Sequence, residues 1–164
     1  MRNAMRILAL TLALLMTGGI LAACAREEGD TSSAFCVVVN GVNIELGKPA
    51  QPVLDALGMA DQTDEVNDCG AGNSRMRYRY DSVVIYAMKS DGKAVIDQIE
   101  LLDDLAETSR GICLGDDEAA VREAYGTPTQ DADGILGYGK DGRQIQFNVE
   151  EGKVVAIGLL RKTQ

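Results

Sequence analysis

The side chains with the most distinctive chemistry in this 164-residue chain are four cysteines, at positions 24, 36, 69 and 113. No two of them have the Cys-x-x-Cys spacing of a metal site, so we expect no bound metal and no cofactor. The chain has no histidine, which excludes Ser-His-Asp and Cys-His nucleophile pairs and a histidine general base. The cysteines are therefore candidates for a disulfide bond or for covalent modification.

A disulfide between Cys36 and Cys69 is the pairing that we favour for an exported chain. It would close a loop of about thirty residues and stabilise the fold by roughly 3 kcal/mol, according to the chain-entropy relation. Cys113 would then remain a free thiol, because the cysteine at position 24 is assigned to an anchor below and three cysteines allow one internal bond. Another pairing, and no disulfide at all, stay open as alternatives.

A row of arginines is the next candidate site. Arg75, Arg77 and Arg79 alternate with apolar and aromatic residues, which predicts a strand with all three on one face. In a chain of net charge −9 this row suits an anionic ligand or an acidic partner. The alternative is cross-strand pairing with carboxylates such as Asp97 or Glu100, which contributes under about 1 kcal/mol per exposed pair. We favour the pairing.

Tyrosines accompany the arginines. Tyr78 and Tyr80 lie between them in the sequence and point to the opposite face of the predicted strand, and Tyr86 follows on the next strand. Together they are candidates for a binding platform. Because the chain has only five tyrosines, two phenylalanines and no tryptophan, we favour a packing role in the core.

Carboxylates outnumber cationic side chains, 25 to 16, and suggest two further kinds of site. The sequence Asp-Ala-Asp-Gly at residues 131–134 begins like a calcium loop, but Gly142 occupies the twelfth position, where such a loop needs a bidentate glutamate. Two carboxylates also suit acid–base cleavage of a glycosidic bond, although no tryptophan is present to stack on a sugar ring. The acidic balance argues against a nucleic-acid partner.

The N-terminus has the layout of an export signal. Arg2 and Arg6 form a positively charged start, and residues 7–16 form an apolar run that is too short to span a membrane comfortably. The sequence Leu-Ala-Ala-Cys at residues 21–24 resembles the lipobox of bacterial lipoproteins. In that family the cysteine sulfur receives a diacylglycerol, and a peptidase then cleaves the signal on the N-terminal side of the cysteine. We therefore predict a signal peptide at residues 1–23 and lipidation of Cys24.

Residues 24–34 are predicted to be the lipidated N-terminus and a flexible tether, because they lack an apolar period. Loss of the signal removes two basic residues and no acidic one, which leaves a net charge of −11. Anionic lipid headgroups repel such a domain. We therefore expect the bilayer to hold the chain through Cys24, on the extracytoplasmic side of the cell membrane, with the domain standing off the surface.

An internal repeat organises the remainder of the chain. Positions that recur at an offset of 68 are Ile44, Leu46, Gly47, Val53, Leu57 and Gly58, matched by Ile112, Leu114, Gly115, Val121, Tyr125 and Gly126. Positions that recur at an offset of 60 are Tyr78, Ile85, Gly92, Lys93, Val95 and Ile99, matched by Tyr138, Ile145, Gly152, Lys153, Val155 and Leu159. We therefore divide the chain into α/β repeat 1 at residues 35–104, with eight extra residues around 61–75, and α/β repeat 2 at residues 105–164.

Each copy reads as a short helix followed by a meander of three strands, separated by Gly-containing turn signals. Helices of about ten residues are marginal alone, so a sheet must hold them. The sequence therefore predicts an α+β fold of two tandem repeats. Each repeat packs a short helix on an antiparallel β-meander, and the two form one compact domain.

The tandem unit behind a lipobox resembles a group of uncharacterised cell-surface lipoproteins of Gram-positive, clostridia-type bacteria. The resemblance is carried by Leu-Gly at residues 46–47 and 57–58, by Cys69 ahead of the tyrosine-rich strand, and by Gly-Ile-x-x-Gly-Asp at residues 111–116. The order of a helix, a Gly-x-Pro sequence and a strand meander in each copy is also similar to that in the outer-membrane assembly lipoprotein SmpA/OmlA and in β-lactamase-inhibitor-like repeats. These resemblances imply a fold but bring no known activity.

We therefore predict a membrane-anchored extracytoplasmic lipoprotein that acts as a non-catalytic binding module for a partner protein, and we do not expect an enzyme. One alternative is a carboxylate-dependent hydrolase of cell-wall or glycan substrates. Another is a purely structural envelope protein. An enzyme needs a concave pocket with convergent carboxylates, whereas a binding module needs a broad exposed sheet surface.

Overall fold

The computed structural model describes residues 33–67, 74–90 and 92–161. After a 3-10 turn at Ser33–Phe35 there are two helices, α1 (Ala50–Leu57) and α2 (Glu118–Tyr125). The strands are β1 (Cys36–Val39), β2 (Val42–Glu45), β3 (Gln62–Asn67), β4 (Ser74–Arg79), β5 (Val83–Ser90), β6 (Lys93–Leu101), β7 (Ala106–Thr108), β8 (Gln130–Ala132), β9 (Ile135–Lys140), β10 (Arg143–Glu150) and β11 (Lys153–Arg161). Neither helix of this described part combines the length and apolar character needed to cross a bilayer.

Eight strands form one antiparallel sheet, the large sheet, in the order β3-β4-β5-β6-β11-β10-β9-β8. The first four belong to the first copy and the last four to the second, and the halves meet where β6 pairs with β11. The predicted α+β class with antiparallel sheets is confirmed. The predicted meander of three strands is wrong, because each copy adds a fourth strand, β3 or β8, at the outer edge.

A separate sheet of three strands, the small sheet, has the order β2-β1-β7. Strand β1 pairs with β2 through a turn at Asn40 and Gly41, where both φ angles are positive, as hairpin turns with Asn-Gly require. Strand β7 comes from the segment between the two copies and pairs with the other edge of β1. The repeat pattern does not predict this sheet, since β1 and β7 lie outside the matched positions.

The core is one continuous cluster between the large sheet, the two helices and the small sheet. Ile99 of β6 and Ile157 of β11 face it from the large sheet, and Val37 of β1 faces it from the small sheet; all three are at most 2% exposed. Because strand side chains alternate, burial of this face leaves the other face of the large sheet directed away from the core.

The two helices confirm the offset of 68. Each is eight residues long and is followed by a glycine with positive φ, Gly58 at 82° and Gly126 at 78°. Val53 and Val121 occupy equivalent positions and face the core, with 8% and 0% of their surface exposed. Helices of this length depend on such packing for stability.

The tyrosine strands show that the predicted offset of 60 is wrong for β4 and β9. Tyr80 Oη donates to the carbonyl of Gly58 at 3.2 Å, and Tyr138 Oη donates to the carbonyl of Gly126 at 3.3 Å. The equivalent of Tyr138 is therefore Tyr80 and not Tyr78, which is an offset of 58. The first copy thus carries ten extra residues between helix and tyrosine, because the two separations are 22 and 12 residues.

The central strands β6 and β11 follow the same offset of 58. The Gly47 N–H donates to the carbonyl of Ile96 at 2.8 Å, and the Gly115 N–H donates to the carbonyl of Val154 at 2.8 Å. Ile96 and Val154 are both buried. A shift of two residues along a strand leaves every side chain on the same face. The apolar pattern therefore fits 58 and 60 equally well, and only the contacts with the helix loops separate them.

Candidate functional site

The face of the large sheet that lies away from the core, which we call the open face, is covered by no element that the structure describes. Strand registers and burial place its side chains. Those used below are Arg75, Arg77, Arg79, Tyr86, Gln98 and Glu100 from the first copy, and Gln144, Gln146, Asn148, Ala156, Gly158 and Leu160 from the second. The first-copy half is charged, and the second-copy half carries amides, small residues and one leucine.

The predicted arginine row lies on the open face, and two of its members are paired with carboxylates. Arg75 Nε lies 2.8 Å from Asp97 Oδ2, and the Asp97 side chain is only 3% exposed. Arg77 donates to Asp64 Oδ2 through Nη2 at 2.6 Å and through Nε at 3.2 Å. These bonds from Arg77, with one from Gln62, hold the pKa of Asp64 below its usual value.

The pairing favoured from the sequence is thus present for Arg75 and Asp97. Arg79 differs from its neighbours, since it is exposed and makes no ion pair with any residue that the structure describes. Its strand partners, Gln62 and Val84, carry no charge. Arg79 is therefore the member of the row with a guanidinium available to a ligand.

The tyrosines do not share one face. Tyr78 and Tyr80 pack against the core beneath α1, and burial raises the pKa of Tyr80. Tyr86 lies on the open face, with its Oη 3.4 Å from Glu100 Oε2. The pKa of Tyr86 is raised, mainly by burial and secondly by the charge of the Glu100 carboxylate. A platform of all three is therefore wrong, because Tyr86 is opposite Arg77 in the ladder and points as Arg77 does.

The centre of the open face is a shallow cavity of about 270 Å³ where the two copies meet. Glu100 of β6 and Gly158 of β11 lie directly opposite each other there. Nothing lies within 4 Å of where a Cβ on Gly158 would be, so this glycine leaves an opening above the backbone. Gln98 donates to Glu100 Oε1 at 2.7 Å, which helps fix the carboxylate. Amides and one oriented carboxylate can recognise the polar groups of a protein surface.

The carboxylates of the calcium-like segment serve another purpose. Arg122 of α2 donates to both oxygens of Asp131, at 2.9 and 3.2 Å, and also to Glu118. The bonds from Arg122 lower the pKa of Asp131. No group of three metal-ligating side chains is found among the described residues. Asp131 therefore ties the helix to the edge strand β8.

The cysteines with described positions are Cys36 and Cys113, and neither forms a disulfide with another described residue. Cys36 is buried on β1, and burial, followed by the Glu45 charge, raises its pKa. Cys113 is partly exposed, with Sγ 3.5 Å from Asp116 Oδ2; burial and this carboxylate raise its pKa. Cys24 and Cys69 lie outside the described residues, so lipidation and the Cys36–Cys69 bond stay predictions.

Gln146 and Gly158 were not predicted as site residues from the sequence, and Glu100 was predicted only as an ion-pair partner. Gln146 alternates with Ile145 and Phe147, two fully buried residues. That alternation was the available signal that β10 has a polar outward face. Sequence cannot show that Glu100 and Gly158, 58 residues apart, meet in one ladder.

Comparisons with known proteins are distant. No protein-family model and no curated protein sequence matches the chain. The uncharacterised protein YfeY of Escherichia coli is similar in structure, with a TM-score of 0.44 and 16% identity over 73% of this chain and 93% of that one. A cysteine-rich secretory protein of Staphylococcus aureus has a TM-score of 0.35 and 13% identity, over 71% of this chain and 44% of that one. Neither likeness assigns a function, and the resemblance to Gram-positive lipoproteins stays a prediction.

Proposed function

We propose that the chain is an extracytoplasmic, lipid-anchored protein whose folded domain binds a partner protein through the open face, without catalysis. The observation that carries this proposal is the uncovered face of the large sheet, which presents fixed polar groups from both copies. The signal-like residues 1–23 and the lipobox at Cys24 support the location.

The size of the open face suits a stable protein interface. Eight strands spaced about 4.8 Å apart span about 34 Å. Seven of them have at least six residues, and six residues span about 20 Å. The resulting area, about 700 Å², is close to the roughly 800 Å² that one partner contributes to an interface of standard size. A small-molecule site would use a much smaller part of this surface.

The side chains of the open face are held before a partner arrives. Glu100 accepts from Gln98 and lies within 3.4 Å of Tyr86 Oη, and Arg77 is fixed by Asp64. Groups that are already ordered lose less conformational entropy on binding. The exposed Arg79 adds a charge that favours an acidic partner at the first-copy edge.

The paired carboxylates distinguish this proposal from the hydrolase alternative. Asp64 and the buried Asp97 each bind an arginine of the row. A general acid needs a raised pKa, whereas the pKa of Asp64 is lowered. These contacts favour a structural use of the carboxylates and a binding use of the surface.

The test is photo-crosslinking in intact cells. A benzophenone amino acid replaces Gln146 on the open face or, as the matched control, the exposed Gln51 of α1. We expect a discrete adduct from position 146 and none from position 51, and we expect Glu100→Lys to reduce the adduct at least several-fold. Adducts from position 51 alone, or an adduct from 146 that Glu100→Lys leaves unchanged, would contradict the proposal.

A further inference from the structure

The described chain enters the fold at one particular end of the large sheet. Phe35, which follows the tether, lies with its ring 5.0 Å from the guanidinium carbon of Arg143, the first residue of β10. Arg143 pairs with Lys140 across the β9–β10 turn and with Arg161 at the end of β11. We call this end of the large sheet the tether end.

The hairpin between β5 and β6 lies at the same end. The register places Gln98 opposite Leu160. The start of β6 at Lys93 and the end of β11 at Arg161 therefore lie at the same end of the sheet. Glu45 joins the two regions, because its carboxylate lies 3.8 Å from Lys48 and 3.7 Å from Arg143.

The tether end is basic although the chain is acidic. Its cations among the described residues include Lys48, Lys89, Lys93, Lys140, Arg143 and Arg161. The described carboxylates at the same end include Glu45, Glu65, Asp97 and Asp141, and Asp97 is paired with Arg75, a further cation of this end. All four lysines and Arg161 are exposed, so their charges face solvent.

The opposite end of the sheet has the reverse composition. Its turns, between β4 and β5, β6 and β7, β8 and β9, and β10 and β11, carry Asp81, Asp103, Asp104, Asp133, Glu150 and Glu151. The cations nearest these turns in the described chain are Arg79 and Lys153. The domain is therefore an electric dipole whose positive end is the end that holds the tether.

Screening by salt determines which end of the domain interacts electrostatically with a nearby charged surface. Strand β6 has nine residues, and the eight steps between its first and last residue, at about 3.3 Å each, give a length of about 26 Å. The Debye length at physiological ionic strength is about 8 Å. The acidic end lies about three Debye lengths from a surface that touches the tether end, so its repulsion is largely screened. Net charge alone predicts repulsion from anionic lipid, but this arrangement predicts attraction at the tether end.

We propose that the tether end is a membrane-facing surface that binds anionic lipid headgroups and holds the domain upright on the bilayer. This rests on the proposed function only in that the tether leads to a membrane anchor. A basic surface beside an anchor attracts anionic lipid, and the effect disappears within a Debye length. The acidic end and the open face then remain accessible above the membrane.

The experiment measures orientation on vesicles. The chain from residue 25 on contains the whole described fold, and an N-terminal hexahistidine tag binds it to nickel-chelating lipid, so the result does not depend on lipidation or on a protein partner. The chain has no tryptophan, so Ser90→Trp at the tether end or Met59→Trp at the opposite end supplies a single donor. The acceptor is dansyl-headgroup lipid in vesicles of phosphatidylcholine, with or without phosphatidylglycerol.

We expect phosphatidylglycerol to raise energy transfer from position 90 at least twofold and to leave transfer from position 59 unchanged or lower. The double variant Lys89→Glu and Lys93→Glu should abolish this gain. The matched variant Arg79→Glu and Lys153→Glu changes the net charge equally at the other end and should retain it. Salt at 500 mM, which needs no variant, should also remove the gain. Equal transfer from position 90 in both vesicle types, or equal gains from positions 90 and 59, would overturn the proposal.

Discussion

Glu100 and Gly158 lie directly opposite each other on the central strands, and they are also equivalent positions of the two copies at the offset of 58. The pseudo-twofold axis that relates the copies therefore passes between them. A carboxylate thus stands where the other copy has no side chain, and the cavity of the open face lies beside this axis, lined mostly by residues of the second copy.

Glycine at position 158 should be replaceable without loss of folding. A Cβ there meets nothing within 4 Å, whereas at Gly134 it would lie 2.6 Å from the Val149 carbonyl oxygen at a φ of +74°. We expect Gly158→Ala to change the free energy of unfolding by less than about 0.5 kcal/mol and Gly134→Ala to cost about 1–3 kcal/mol. Urea denaturation measures both. A large cost at Gly158 would show that the open face is closed by packing.

Filling the cavity should reduce binding while leaving the fold intact. Gly158→Gln places a longer side chain beside Glu100, and we expect it to reduce the photo-adduct from position 146 at least several-fold. The adduct should persist in Gly41→Gln, which changes the β1–β2 turn away from the open face, provided that the melting temperatures show both variants folded. Equal adducts from both variants would remove the cavity from the interface.

Truncation of the two equivalent helix valines should cost similar amounts. Val53 and Val121 are 8% and 0% exposed on helices of equal length. We expect Val53→Ala and Val121→Ala each to lower the free energy of unfolding by about 1–3 kcal/mol, in one cooperative transition. Arg77→Ala, which removes a half-exposed ion pair, should cost under about 1 kcal/mol. Two separate transitions in denaturant would contradict a single shared core.

Alkaline pH should destabilise the fold through Tyr125. Burial raises its pKa to about 12 from an ordinary value of 10. The unfolded chain therefore loses this proton first, so the stabilising contribution is complete below pH 10 and is lost as the pH rises towards 12. Absorbance at 295 nm should show one tyrosine that ionises last, and Tyr125→Phe should remove that phase. Titration of all five tyrosines near pH 10 in the folded protein would refute this.

Lipidation should depend on Cys24 alone. Because the lipobox offers one sulfur, we expect Cys24→Ser to abolish acylation and membrane association of the mature chain. Cell fractionation and intact mass measure both, with Cys113→Ser as the matched cysteine control. A Cys24→Ser chain that is still processed and fractionates with membranes would contradict the anchor.

The thiol count tests the disulfide prediction. If Cys36 and Cys69 pair, the chain without its first 24 residues should show one alkylatable thiol under non-reducing denaturation, at Cys113. Peptide mapping should recover Cys36 and Cys69 in one linked species. Three alkylatable thiols would exclude the bond.

The helices and their equivalence were predictable from sequence because the matched residues recur at one offset with no gap. The ion pair between Arg75 and Asp97 was predictable only from complementary charge. Strand alternation would place Asp97 with the buried Ile99 and Leu101, and it is the β-bulge opposite Tyr86 and Ala87 that redirects it. The offset of 58 between the strands of the two copies was not predictable, because a shift of two residues leaves the alternation of buried and exposed side chains unchanged. Tyr86 was placed on the wrong face for a related reason: the facing of β5 relative to β4 depends on the register across their turn.

The unequal halves of the open face give recognition a direction. A duplicated scaffold with a pseudo-twofold axis offers two docking poses related by a half-turn, and identical halves would make them equal in energy. Here one half presents Arg77 with Asp64, and the other presents Gln144 with Gln146. A partner that satisfies the charged half in one pose meets amides and glycine in the other, with its own charges left unpaired. The duplication supplies the area, and the divergence of the copies selects a single orientation.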